Sequence, residues 1–144
     1  MKTINSIFIC LGLALIVSTG CKNIENILPS NEGKWNITEL SYQSFVGDSL
    51  VDEENETYSG DESTFQFNDD GTGEQVEGSD VTDFEWTYNK DREEISLIYF
   101  GGLALLFEVL ECTKTSLTIT TTSEFELFGD IYRDVITYTM VKAE

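Results

Sequence analysis

From residue 34 onward, apolar and polar positions alternate with a period of two, the spacing at which successive strand side chains point to opposite faces. Trp35 and Ile37 alternate with Asn36 and Thr38, and Leu40 and Tyr42 then continue the apolar face with the other parity. This change of parity predicts a β-bulge near Thr38-Glu39, which would preserve one inward face. Thr64-Phe65-Gln66-Phe67-Asn68 alternates cleanly and runs into Asp69-Asp70-Gly71-Thr72-Gly73, where Asp70-Gly71 is a favoured hairpin pair. Glu74 to Gly78 reads as the returning, polar strand. Phe84, Trp86 and Tyr88 share one face of the next strand, and Asn89-Lys90-Asp91-Arg92 turns the chain back. Glu94 to Phe100 and Leu103 to Cys112 are apolar on both faces and flank Gly101-Gly102, the pattern of a hairpin. Leu117 to Thr122 and Val135 to Val141 add two β-branched strands. Val46 to Gly60 is acidic and sparsely apolar. It is expected to be a long solvated loop with a weak strand near Ser49-Leu50-Val51 or Thr57-Tyr58. Glu124 to Asp130 is expected to be a loop carrying Phe125, Leu127 and Phe128. No stretch sustains a helical period. The tally of about eight short strands predicts an all-β fold. Consecutive hairpins favour a small antiparallel up-and-down barrel, which leaves no edge strand exposed.

The first 20 residues follow a different pattern. Lys2 precedes an apolar run from Ile7 to Val17, and small residues Ser18, Thr19 and Gly20 lead into Cys21. The run is too short for a membrane-spanning helix, which needs roughly 20 apolar residues, and its order fits a secretory signal peptide. Ser18-Thr19-Gly20-Cys21 resembles the lipobox of bacterial lipoproteins, with Ser18 where an aliphatic residue is usual. The resemblance implies cleavage between Gly20 and Cys21, with a thioether-linked diacylglycerol and an N-acyl chain on Cys21. Several acyl chains anchor stably where one is marginal. The chain then divides into a signal peptide over 1–20, an acylated flexible tether over 21–32, and a barrel domain over 33–144. The implied address is the cell envelope, with a lipid anchor in the outer membrane.

Composition narrows the function classes. The net charge is −19, from 8 Lys and Arg against 27 Asp and Glu. Such a surface repels phosphate backbones, so a nucleic-acid partner is not expected. Of the three cysteines, Cys10 falls in the signal segment and Cys21 is the lipid site. This leaves Cys112 as an expected buried thiol, with no intramolecular disulfide after lipidation. The chain has no histidine, which removes the usual imidazole base and His-containing metal sites. An enzyme is not expected, because the many carboxylates give no specific catalytic pair.

Asp52-Glu53-Glu54-Glu56 and Asp61-Glu62 offer hard oxygen ligands, but they lack the alternation and trailing glutamate of a calcium loop. They read as solvated acidic chain, and no metal is expected. Trp35, Phe65, Phe67, Phe84, Trp86 and Tyr88 either line an apolar ligand pocket or fill a barrel core; the density of ordinary interiors favours filling. Exposure of Ile98, Phe100, Leu106, Leu110 and Phe125 to Phe128 discriminates two functions. At a barrel mouth these residues suit a small-molecule binder, and as a contiguous outer patch they suit a protein-interaction module.

The order Gly33-Lys34-Trp35, Phe65-Gln66-Phe67-Asn68-Asp69-Asp70-Gly71-Thr72, Trp86-Thr87-Tyr88 and Tyr138-Thr139-Met140 resembles the lipocalin-like domains of bacterial envelope lipoproteins. The likeness covers about Gly33 to Lys142. It implies a small barrel that is either filled by side chains or holds one small apolar or amphipathic ligand. The alternative it leaves is a filled structural module that engages another envelope protein. Unlike secreted animal lipocalins, the mature chain is expected to have neither a disulfide pair nor a basic residue near the closing motif.

Overall fold

The computed structural model describes residues 23–144. The signal segment, the Gly20–Cys21 cleavage site and the lipid site at Cys21 lie outside them. One helical turn, α1 (Ile24–Ile27), and a 3-10 turn at Asn31–Gly33 precede nine strands. These are β1 (Lys34–Val46), β2 (Ser49–Thr57), β3 (Ser63–Phe67), β4 (Thr72–Glu77), β5 (Asp80–Asn89), β6 (Glu94–Tyr99), β7 (Ala104–Cys112), β8 (Ser116–Leu127) and β9 (Asp130–Lys142). All pairings are antiparallel, and β9 returns to pair with β1. β2 lies opposite Glu39–Val46 and β3 opposite Lys34–Asn36, so together they occupy one position in the wall. The result is a closed eight-stranded barrel.

The closing ladder explains the parity change in β1. Its register with β9 shifts between Ile37 and Glu39, making Thr38 the extra residue, and the Thr38 hydroxyl donates to the Thr139 carbonyl at 3.0 Å. A bulge keeps Trp35, Ile37 and Leu40 on the inner face despite their uneven spacing. The lower interior is filled. Trp35, Phe65, Phe67, Ile95, Leu97, Phe107, Leu117, Ile119 and Met140 are buried there with almost no exposure.

One end of the barrel is plugged by the segment expected to be a flexible tether. Ile24 and Leu28 of this segment are fully buried. The Trp35 indole donates to the Leu28 carbonyl at 3.0 Å. Lys142 Nζ donates to the Ile27 and Leu28 carbonyls at 3.1 and 2.9 Å and lies 4.2 Å from the Trp35 ring centroid. The tether reading is therefore corrected from Ile24 onward: a single apolar turn had no period to display, and burial comes from docking. The expectation of no basic residue at the closing motif is corrected as well. Lys142 adds a charged donor at a helix end whose carbonyls also accept from Ser30 and Trp35, and stacks its charge on an indole face. Burial pushes its ammonium down to about 8.

Two expected loops are strands. β2 runs from Ser49 to Thr57 after a tight turn at Gly47-Asp48, with every residue exposed. Its identity comes from backbone pairing with β1, which side-chain pattern cannot reveal. β8 continues through Phe125 to Leu127, opposite Tyr132 to Asp130 of β9. Beyond the barrel proper, β2, β1, β9 and β8 thus project as a four-stranded sheet. β7 keeps its pairing with β8 only as far as Thr120. Cys112 is buried, as expected. The described residues include no second cysteine.

Gly33 sits at φ +70°, and a Cβ there would land on the Phe67 backbone carbonyl. A Gly33→Ala variant is expected to lose about 2–4 kcal/mol in a urea melt, because both conformation and space oppose it. Gly47→Ala, at φ +58° with open space around it, is expected to cost only about 1 kcal/mol. Equal losses in the two variants would contradict the close packing of the 3-10 turn on β3.

Candidate functional site

The six aromatic residues singled out in the sequence all turn inward, at different depths. Trp35, Phe65 and Phe67 are fully buried, Phe84 and Trp86 nearly so, and Tyr88 is half-buried. Edge-on contacts join Phe65 to Phe84 at 6.0 Å, Phe67 to Phe84 at 5.6 Å and Phe67 to Trp86 at 5.6 Å between ring centroids. Such offset and T-shaped pairs are the favoured geometry of packed rings. The Trp86 indole donates to the Asn68 carbonyl at 3.1 Å. Together these rings occupy the plugged half of the barrel and form the floor of whatever lies above.

Above them the interior opens. A cavity of about 330 Å³ is lined by Gln75 and Glu77 of β4, Asp80 and Thr82 of β5, Tyr99 of β6, Leu103 and Leu105 near and on β7, and Tyr138 of β9. Its floor is continuous with the core: Tyr138 meets Phe65 and Phe107 edge-on at 5.4 and 5.9 Å, and Tyr99 meets Phe84 at 5.8 Å. Its volume lies at the small end of ordinary ligand sites. Two larger concavities are grooves on the outer wall: one of about 500 Å³ where Thr72, Glu74 and Glu85 meet Phe84, Ile98 and Phe100, and one of about 770 Å³ lined by polar residues such as Lys34, Asn36 and Asp61. The mouth is the one that opens into the barrel interior, over the aromatic core, with polar groups at its side.

The polar groups of the mouth are ordered. Tyr99 donates to Gln75 Oε1 at 2.6 Å, and Gln75 Nε2 donates to Glu77 Oε1 at 2.6 Å. Gln75 is thereby fixed from both sides and orients one carboxylate oxygen. Burial, then the neighbouring Tyr138 and Glu77, raises the Tyr99 phenol well above its ordinary range. Burial and then Glu77 raise Tyr138. At the rim, Tyr58 donates to Glu56 Oε2 at 2.6 Å. That hydrogen bond, with some burial and the Glu56 charge, pushes its phenol up to about 12.

The apolar residues that were to discriminate between functions divide. Ile98, Leu106 and Leu110 are exposed on the outside of the β6–β7 wall. Phe125 and Leu127 share the face of β8 that carries Ile119 into the core, and Phe125 stacks on Tyr132 at 5.2 Å. Phe100 and Phe128 stand free in turns at the open end, 101% and 97% exposed. The sequence drew attention to the aromatic floor and missed the mouth. Gln75, Glu77, Asp80 and Thr82 carry no apolar signal, although their spacing of two within each strand is visible.

A phenol whose pKa is raised by folding contributes stability that is present below the unfolded value of about 10 and is lost as pH rises past it. With Tyr58, Tyr99 and Tyr138 all raised, unfolding free energy is expected to fall steeply above pH 10. Tyr99→Phe is expected to flatten that slope in denaturant melts. An unchanged slope would contradict the burial of this phenol.

The lipocalin-like domain profile matches residues 32–119. Among curated protein sequences none matches the chain. Of solved structures, apocrustacyanin C1 is 15% identical with a TM-score of 0.45, over 84% of this chain and 63% of its own. Lobster apocrustacyanin A1 is 15% identical at 0.43, over 83% and 66%. A bovine odorant binding protein, in a deswapped triple mutant, is 15% identical at 0.41, over 77% and 72%. The chain thus spans less than two thirds of the length of apocrustacyanin C1. Since the profile runs from the 3-10 turn through β7 into the first residues of β8 and so covers more than half of the sequence, the chain belongs to the lipocalin-like domain family.

Proposed function

We propose that the protein is a lipid-anchored lipoprotein of the cell envelope whose lipocalin-like domain binds a small hydrophobic or amphipathic molecule in the barrel mouth. The observation that carries the binding half is the 330 Å³ cavity, with Leu105 and the Tyr99 and Tyr138 rings at its base and a Gln75–Glu77 pair at its side. A lipocalin-like domain is typically a binding fold, and the reading assigns no catalysis to this chain. The filled lower barrel limits the ligand to the mouth, so a long buried tail is not expected.

The anchoring half rests on Ser18-Thr19-Gly20-Cys21 and the apolar run before it. Asn23 enters the fold beside α1 at the plugged end, so an acyl anchor on Cys21 would hold the plug near the membrane and aim the mouth away from it. The exposed Ile98, Leu106 and Leu110 on the outer wall favour a second reading, a protein-interaction module of the envelope.

Native mass spectrometry of protein purified from its bacterial host is expected to reveal a co-purifying small molecule that is lost on denaturation. A bare mass, with no uptake of a hydrophobic fluorophore, would overturn the binding reading and favour the interaction module. Radiolabelled palmitate is expected to label the wild-type chain and not Cys21→Ser. An unlabelled wild type, or a mature chain with Cys21 in a disulfide, would contradict anchoring.

A further inference from the structure

The charge distribution around the mouth goes further than a preference for apolar molecules. Eight Lys and Arg are present in the sequence, and six fall among the described residues. Lys34 opens β1, Lys90 and Arg92 occupy the turn after β5, Lys114 the turn after β7, and Lys142 closes β9. All five lie at the plugged end, where Glu25 of α1 is close enough to act on Tyr88. Arg133 stacks on Phe45, 4.5 Å from the ring centroid, and its partner position on β1 shows that it points away from the face of Tyr132 and Asp134. Among the described residues no cation lines the mouth. Carboxylates do: Glu77 and Asp80 line it directly, and Glu56 stands beside Tyr58 at the rim.

The same cavity presents aromatic faces and an unused hydroxyl. The Tyr99 hydroxyl is taken by Gln75, whereas the Tyr138 hydroxyl makes no hydrogen bond to another described residue. Glu77 Oε1 is held by Gln75, and the carboxylate lines the cavity. Tyrosine rings attract cations through their quadrupoles, and a carboxylate over a low-dielectric floor strengthens that attraction. An anionic head in the same place would meet two carboxylates with no counter-charge.

We propose that the mouth selects a cationic amphiphile, an ammonium head carrying a short apolar tail. The head sits between Glu77 and Asp80 against the tyrosine rings, and the tail rests on Leu103 and Leu105. This rests on the reading that the mouth is a binding site, and it adds the sign of the ligand's charge. The geometry makes Glu77 the main selector, because Gln75 fixes its orientation, and Asp80 a secondary one.

The test is isothermal titration of the purified protein with three probes of equal chain length below their micelle concentrations: decyltrimethylammonium, decanol and decanoate. Binding of the ammonium in one-to-one ratio, with decanol weaker and decanoate absent, is expected. Glu77→Gln is expected to weaken the ammonium at least about fivefold and leave decanol unchanged. Asp80→Asn should show a smaller loss, which guards against a folding defect in one variant. Asp91→Asn, at the plugged end, should leave all three affinities unchanged. An equal loss in Asp91→Asn would overturn the proposal by showing diffuse attraction to an acidic surface. Equal binding of all three probes would overturn charge selection while keeping a binding mouth. No binding of any probe would overturn the binding reading itself.

Discussion

The pairing of the first strand with the last is the constraint on which the rest of the molecule depends. β1 and β9 run side by side from Trp35 and Lys142 to Val46 and Tyr132, and without that ladder the sheet has two open edges and no interior. The ladder must pass from filled barrel to projecting sheet without turning its inner face outward. One extra residue, Thr38, accomplishes this. At the near end of the same ladder, Trp35 and Lys142 meet across the strands and hold the carbonyls of Ile27 and Leu28. Closure of the wall and plugging of the end are thus one arrangement. Removing the lysine would take one donor from carbonyls that Ser30 and Trp35 still hold, and would leave the indole without its cation.

Filling one half of the barrel is what leaves the other half as an open mouth over a packed floor. Phe65, Phe67, Phe84 and Trp86 pack edge to face at the plugged end, and Tyr99 and Tyr138 stand on them as a rigid floor. A floor of this kind does not have to be ordered when a ligand arrives, and that lowers the cost of binding. The acidity that dominates the composition is unevenly placed in consequence. The few cations gather near the plug, so the mouth keeps an undiluted negative potential over an aromatic base.

Most of the barrel was legible because half-buried strands write their period into side chains. Phe84-Trp86-Tyr88 and Phe65-Phe67 announced their faces, and the parity change after Ile37 announced the bulge. β2 was illegible for the converse reason, since all nine of its residues are exposed and its strand character lies in the backbone. The plug was hidden because Ile24 and Leu28 form a single turn that is stable only when docked. Lys142 and Trp35 are neighbours only through the closing register. The mouth was partly visible as Gln75-Glu77 and Asp80-Thr82 at spacing two, yet nothing local says that these polar faces meet Tyr99 and Tyr138 over a cavity.

The central claim is that the mouth, and not the outer wall, receives the ligand. Its most direct measurement is a two-dimensional NMR titration of the isotopically labelled protein with decyltrimethylammonium. The account predicts saturable shifts confined to Gln75, Glu77, Asp80, Tyr99, Leu105 and Tyr138, with Trp35 and Lys142 unmoved at the plugged end. Shifts confined instead to Ile98, Leu106 and Leu110 on the outer wall would contradict it.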